Sequence, residues 1–277
     1  MAPFLKFDHI YILCYNNTKV SKEKKMPKFF ITQSQIVDKN AYIEGQDVNH
    51  IKKVLRYKTG DKIEICNKDT EENFLGEIQE IQENIIKCSN LTKIEKKAES
   101  NIKITIFQGL PKADKMELVI QKSVELGVFE ITPLKMKRCV VKLNEKDLGK
   151  KIERWQKISE VAAKQCERDY VPKINLHTDI KKLCAQIEEY DLFIVAYEKE
   201  DKKTLKEVIN KFKQNINTQK EIRIGIVIGP EGGIGQEEIN NLSNSGAQVV
   251  TLGKRILRTE TVALNVLSIL MYELENT

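Results

Sequence analysis

The chain predicts an α/β fold, a parallel sheet with helices on both faces, preceded by a small β-rich domain. Three observations carry that expectation. From residue 101 onward, apolar runs of strand length alternate with helical patterns, the texture of a parallel sheet with crossover helices. Two of those runs, Leu192 to Tyr197 and Ile222 to Ile228, are apolar without interruption, as strands covered on both faces are. Before that, short alternating runs closed by polar turns suit a small barrel.

Residues 1–25 join no recognisable element and end in Ser21-Lys22-Glu23-Lys24-Lys25 just before a second methionine, Met26. They read as a poorly ordered extension, or as the product of a start upstream of Met26. The β-rich domain is expected over 26–97. Phe29 to Thr32 and Ala41 to Ile43 read as strands, and Asp47 to Leu55 reads as a short helix with Val48, Ile51, Val54 and Leu55 on its apolar face. After the turn Thr59-Gly60-Asp61, alternation with period two marks strands at Lys62 to Cys66, Leu75 to Ile81 and Ile85 to Leu91. The charged stretch Lys93 to Ser100 reads as a linker to a second domain over 101–277.

In that second domain Ile102 to Phe107 is a strand. The helix after Pro111 puts Met116, Val119, Ile120, Ser123 and Val124 on one face and stops at Gly127, a favoured C-terminal cap. Phe129 to Leu134 is the next strand. A helix from about Lys150 to Cys166 turns Ile152, Trp155, Ile158, Ala162 and Cys166 inward. Its other side carries Lys151, Arg154, Lys157 and Lys164, with Arg168 just beyond. Val249 to Leu252 is the last strand, and Thr259 to Leu274 is the last helix, with Thr259 as its N-cap.

Composition excludes several classes. The chain is 41% hydrophobic and 31% charged, the balance of a soluble globular protein. No apolar run approaches the ~20 residues of a membrane span. The six cysteines are scattered with no C-x-x-C pair, so no zinc site is expected and the thiols read as reduced and mostly buried. The net charge of +6 suits a polyanionic partner, although a lysine-rich background produces the same number.

Two segments carry chemistry. Ile228-Gly229-Pro230-Glu231-Gly232-Gly233-Ile234-Gly235 directly follows a buried strand, where α/β proteins bind ligands, and its glycines let a ligand approach the backbone closely. No Gly-Lys-Ser/Thr follows, so it is not a phosphate loop. Leu252-Gly253-Lys254-Arg255-Ile256-Leu257-Arg258-Thr259-Glu260-Thr261 repeats the theme: a strand end, a glycine, a short loop, then a helix N-terminus. Two such loops, if their strands are neighbours, can form one pocket.

This pair of segments resembles the cofactor-binding half of the SPOUT methyltransferases. Lys115-Met116-Glu117, Gln121 to Gly127, Arg138-Cys139-Val140-Val141-Lys142 and Trp155 through Gln165 are similar to the ribosomal RNA small subunit methyltransferase E family. Pro27 to Phe30 and His50 through Arg56 fit that family's PUA-like RNA-binding domain. The resemblance covers nearly everything from Met26 onward. It implies a SPOUT domain with a deep trefoil knot behind a PUA-like β-barrel, a cytoplasmic homodimer, and S-adenosylmethionine-dependent methylation of N3 of a specific uridine in 16S rRNA, acting on that RNA or the small ribosomal subunit. It places the cofactor against Ile228, Gly229, Pro230, Glu231, Gly232, Gly233, Leu252, Gly253, Ile256, Leu257, Thr261 and Ala263. No metal is implied.

For catalysis, N3 must lose its proton; Glu231 and Glu260 are candidates for base or electrostatic partner, and Arg258 for stabiliser of the developing oxyanion or holder of phosphate. RNA contacts are expected from Arg56, Lys112, Lys115, Arg138, Lys142, Arg154, Lys164 and Arg168. Two rivals remain at this point. One is a SPOUT enzyme that methylates a ribose 2′-hydroxyl of tRNA or rRNA. The other is a non-catalytic ribosome-assembly factor that binds RNA.

Overall fold

The computed structural model describes residues 26–95, 98–141, 145–216 and 220–275, so the expected extension at 1–25 lies outside the described residues. The first sheet is built from β1 (Lys28–Ile31), β2 (Ile36–Val37), β3 (Asn40–Glu44), β4 (Lys62–Asn67), β5 (Asn73–Ile81) and β6 (Ile85–Ile94). Its order is β1-β4-β5-β6-β3-β2, antiparallel except for β1 against β4. The period-two alternation does its work here: Phe29, Ile31, Ile43, Ile63, Ile65, Ile78 and Ile86 all enter one core. β6 runs three residues past its expected end, so the linker begins only after Ile94.

The expected helix over Asp47 to Leu55 is corrected. α1 (Gln46–Asn49) gives way to a π-helical turn, His50–Leu55, closed by Arg56 in the left-handed region at φ 55°. The wider turn displaces Val54 from the apolar stripe, and it stands 66% exposed while Val48 and Ile51 are buried.

The second sheet is wholly parallel. It comprises β7 (Ile102–Gly109), β8 (Glu130–Lys135), β9 (Lys173–Ile174), β10 (Thr178–Asp179), β11 (Leu192–Ala196), β12 (Ile222–Ile228) and β13 (Gln248–Val250), in the order β10-β8-β7-β12-β11-β13 with β9 also on β8. Between these strands run α2 (Lys115–Glu125), α3 (Glu145–Gln165), α4 (Ile180–Cys184), α5 (Leu205–Lys213), α6 (Gln236–Asn244) and α7 (Thr259–Leu274). Alternate strand residues feed two cores. Ile104, Ile194, Ile224 and Ile226 meet α2, α3, α5 and α7 on one face; Phe107, Phe193, Val195 and Val227 meet α4 and α6 on the other. Helices thus cover both faces, as the uninterrupted apolar runs required.

Three boundaries move. α3 starts at Glu145, about a turn and a half earlier than expected. β13 ends at Val250, and Thr251 only bridges Thr204. Thr259 is not the N-cap of α7; Arg258 holds that position, and Thr259 is the first helical residue. Among the described residues every cysteine is free; burial pushes the Cys88 thiol up to about 12, which keeps it inert at neutral pH.

Polar contacts, buried around Asp169 and partly exposed elsewhere, tie residues of the first sheet and its helix to α3 and the loop that follows it. Asn73 Nδ2 donates to Asp169 Oδ1 at 2.5 Å, Lys28 pairs with the same carboxylate, and the Ala98 N–H donates to its other oxygen at 2.8 Å. Lys164 pairs with Asp47 at 2.9 Å, and Lys68 with Glu160 at 2.9 Å.

Candidate functional site

β12, β11 and β13 are neighbours, and their carboxyl ends open on one cavity of ≈ 460 Å³. Its wall is the loop after β12 (Gly229 to Gly233), the end of β11 with Tyr197 and Glu198, the loop after β13 (Thr251 to Arg258), and Lys115, Thr259 and Val262. The glycines are required by space as well as by conformation. A Cβ on Gly229 would lie 2.8 Å from Ile234 Cγ1 and 3.2 Å from the Gly233 carbonyl carbon. Gly233 and Gly253 have φ of 71° and 112°, in the left-handed region that favours glycine. The Gly233 N–H donates to the Pro230 carbonyl at 2.9 Å and closes the turn.

Side chains hold this loop from behind. Glu238, buried at the start of α6, accepts the Gly235 N–H at 2.9 Å and the Lys137 N–H at 2.8 Å. The Thr259 hydroxyl donates to the Gly229 carbonyl at 2.7 Å and accepts from Gln108 Nε2 at 2.9 Å. Thr259 thereby ties the first turn of α7 to the end of β12, a more demanding duty than capping. Thr259→Val is expected to strip both bonds, destabilise the chain by about 1–3 kcal/mol and loosen the cavity. Thermal denaturation checks this, with Thr259→Ser expected to match the parent.

At the cavity edge Lys115 Nζ lies 2.9 Å from Glu231 Oε1 and 3.5 Å from Glu260 Oε2. Glu231 also accepts the Lys112 N–H at 3.0 Å. Burial raises the Glu231 pKa, but the hydrogen bonds from Lys115 and Lys112 outweigh it and hold the carboxyl below its ordinary value. Glu231, expected as a base or an electrostatic partner, is ion-paired with Lys115 in this structure. Hydrogen bonding to Glu231 in turn raises Lys115 above the ordinary lysine value, against a smaller opposing effect of burial. Arg258 is exposed on the cavity wall, and its guanidinium makes no hydrogen bond or ion pair among the described residues.

A family description of the RNA methyltransferase domain matches residues 98–271, and one of the RNA methyltransferase PUA domain matches residues 43–89. The chain is 36% identical over 254 residues to a ribosomal RNA small subunit methyltransferase E of Bacillus subtilis, spanning 90% of this chain and 98% of the relative. The chain belongs to the ribosomal RNA small subunit methyltransferase E family. Its fold is similar to that of a putative methyltransferase of Legionella pneumophila solved with bound S-adenosylmethionine, at 28% identity and TM-score 0.75, covering 90% of this chain and 98% of that one. It is also similar to a ribosomal RNA small subunit methyltransferase E of Neisseria gonorrhoeae bound to S-adenosyl methionine, at 27% identity and TM-score 0.73, covering 89% and 97%.

Of the residues expected to hold a cofactor in this family member, ten line the cavity: Ile228, Gly229, Pro230, Glu231, Gly232, Gly233, Leu252, Gly253, Ile256 and Leu257. Thr261 and Ala263 do not. At 100° per residue, α7 turns Thr259 and Val262 to the cavity, leaving Thr261 exposed and Ala263 fully buried in the core. Ala196, Tyr197 and Glu198 also line the cavity and are absent from the residues expected there. The rule that placed the other loops, a strand's carboxyl end beside a glycine loop, applies equally to β11.

The RNA candidates divide. Arg56, Lys112, Arg138 and Arg154 are exposed. Arg138 Nη1 donates to the Gly232 carbonyl at 3.1 Å, and Arg154 pairs with Glu117 at 2.7 Å. Lys142 lies outside the described residues. Lys164 is taken by Asp47 and Glu160 between the domains. Arg168 is only 6% exposed, paired with Glu99 and bonded to the carbonyls of Val124 and Val128. It is a structural residue, because a guanidinium turned into the core cannot meet a phosphate.

Proposed function

We propose that this chain transfers a methyl group from S-adenosylmethionine to N3 of a uridine in 16S rRNA of the small ribosomal subunit. The observation that carries the reading is the glycine-walled cavity at the carboxyl ends of three adjacent parallel strands, in a chain of this family. The residues suit the cofactor. Gly229, Gly232, Gly233 and Gly253 let the adenine and methionine ends approach the backbone without side-chain bulk. Ile228, Leu252, Ile256 and Leu257 supply apolar surface, and Ile256, 84% exposed, gains cover when a flat ring lies against it. When bound, S-adenosylmethionine supplies an electrophilic methyl on a sulfonium sulfur.

The protein's share is placement. N3 sits on the Watson–Crick edge, so the uridine must be unpaired or turned out of its stack. Holding N3 in line with the methyl group converts an encounter into a positioned reaction, which supplies several kcal/mol of the barrier. The side chains of Lys115 and Arg138 gather beside Glu231 and Gly232, next to the exposed Lys112, so the RNA approaches over this edge, with Arg56 on the N-terminal domain (26–97) and Arg154 extending the contact. Arg258, free on the wall, takes a phosphate. In this reading the C-terminal domain (101–277) is knotted, its last segment passing through the loop that Gly229 to Gly235 begins. The enzyme works as a homodimer in the cytoplasm.

Mass spectrometry of nucleosides from small-subunit rRNA tests the reaction. A strain lacking the gene is expected to lose 3-methyluridine, and complementation to restore it. Persistence of the nucleoside in the deletion strain, with no second gene able to make it, would sink the reading.

A further inference from the structure

We propose that Lys115 is a catalytic residue whose ammonium group stabilises the negative charge that develops on a uracil oxygen as N3 loses its proton. The inference rests on the uridine-N3 reading above. Two cations expected to meet RNA converge on the Gly-rich loop, Arg138 through Nη1 to the Gly232 carbonyl and Lys115 through Nζ to Glu231, and the backbone N–H of a third RNA candidate, Lys112, also meets Glu231. Of these three, Lys115 alone also lines the cavity. It stands where the RNA edge meets the methyl-donor site, which is where N3 and the oxygens flanking it must lie.

The setting of Lys115 matches the task. An ammonium has three N–H donors. Glu231 at 2.9 Å takes one of them, while Glu260 Oε2 at 3.5 Å pairs by charge and has no hydrogen-bond partner among the described residues, so donors remain on the cavity wall that Lys115 lines. The two carboxylates come from different segments, the loop after β12 and the first turn of α7, so the nitrogen is braced from both sides before substrate arrives. A donor fixed in advance costs no reorganisation when charge develops, which favours Lys115 over the unanchored Arg258 for this role. The same carboxylates keep the amine protonated at working pH, so it acts as a cation and not as a base.

The chemistry balances without a further reagent. The N3–H bond breaks and its proton passes to water. The electron pair left on N3, shared with O2 and O4 and opposed by Lys115, forms the new N–C bond while the methyl's bond to sulfur breaks and its pair stays on sulfur. The products are 3-methyluridine, S-adenosylhomocysteine and one proton.

The test uses Lys115→Met and Lys115→Arg in the full chain, on small subunits whose rRNA carries uridine or 5-fluorouridine at the target. Fluorine makes N3 more acidic, so the reaction depends less on a stabilising cation. Single-turnover methyl transfer is followed against pH, and S-adenosylmethionine affinity is measured by calorimetry. Lys115→Met is expected to slow transfer to uridine about 100-fold, the cost of one oxyanion donor, and to displace its pH–rate curve to higher pH. 5-Fluorouridine recovers most of that loss, Lys115→Arg retains most of the rate, and cofactor affinity stays at the parent level. Equal slowing on both bases with an unmoved pH curve would show a brace and overturn the proposal, as would a loss of cofactor affinity in step with rate. Failure of the parent protein to methylate N3 overturns this inference together with the function it rests on; a parent that methylates N3 beside an unaffected Lys115→Met overturns this inference alone.

Discussion

Gly229→Val is expected to weaken S-adenosylmethionine binding by roughly 10- to 100-fold while leaving the chain folded. A side chain at position 229 points at Ile234 Cγ1 and at backbone atoms, the Gly233 carbonyl carbon at 3.2 Å and the Ile234 nitrogen at 3.3 Å. Backbone cannot rotate aside as the end of a flexible side chain does, so the turn closed by Gly233 N–H to Pro230 O must open. Overpacking of this kind costs about 1–3 kcal/mol, and each 1.4 kcal/mol is tenfold in affinity if the strain is relieved only by distorting the cavity. Gly253→Val is a useful contrast. Nothing lies within 4 Å of a Cβ there, and the penalty comes only from its φ of 112°. Calorimetry of both variants, with circular dichroism to confirm folding, measures the difference. Equal and parent-like affinities would remove the cofactor from this loop.

What the sequence makes legible is local. β12 and α7 occupy the segments their apolar patterns mark, residue for residue, because each pattern is written in consecutive residues that face one neighbour. The glycine loops are legible for the same reason, since a Gly-Pro-Glu-Gly-Gly run after a buried strand suits close approach of a ligand to backbone. Contacts made only by tertiary folding are not. Lys164 and Arg168 read as a basic helix face, because a sequence does not display the Asp47 and Glu99 carboxylates that meet them from about 117 and 69 residues away. The π turn at His50–Leu55 escapes notice because its residues satisfy a 3.6-residue period nearly as well. Thr259 stands out in the sequence as a cap for α7, whereas its hydroxyl in fact serves the carbonyl of Gly229, 30 residues away.

Arg168→Met is expected to lower stability by about 3–5 kcal/mol, although the residue reads from sequence as an RNA contact. The guanidinium makes four hydrogen bonds: Nε and Nη2 meet Glu99 at 3.1 and 2.7 Å, and Nη1 meets the carbonyls of Val124 and Val128 at 3.2 and 2.6 Å. Both side chains are under a tenth exposed, so solvent screens the pair little. Removing one partner leaves the Glu99 carboxylate buried and uncompensated, the costly way to break such a pair. The damage spreads, because Glu99 also accepts the Asp169 N–H at 3.0 Å, and Asp169 holds Lys28 and Asn73 of the first sheet. Calorimetric melting is expected to fall by about 10 °C. Glu99→Gln combined with Arg168→Met restores part of the loss, since no charge is then stranded. Arg154→Met is the surface counterpart: its exposed pair with Glu117 contributes about 0–1 kcal/mol, so melting barely moves, while rRNA affinity drops and its salt dependence becomes shallower. If Arg168→Met melted with the parent and lost rRNA affinity instead, the guanidinium would have to leave Glu99 in solution, and the basic helix face read from the sequence would stand.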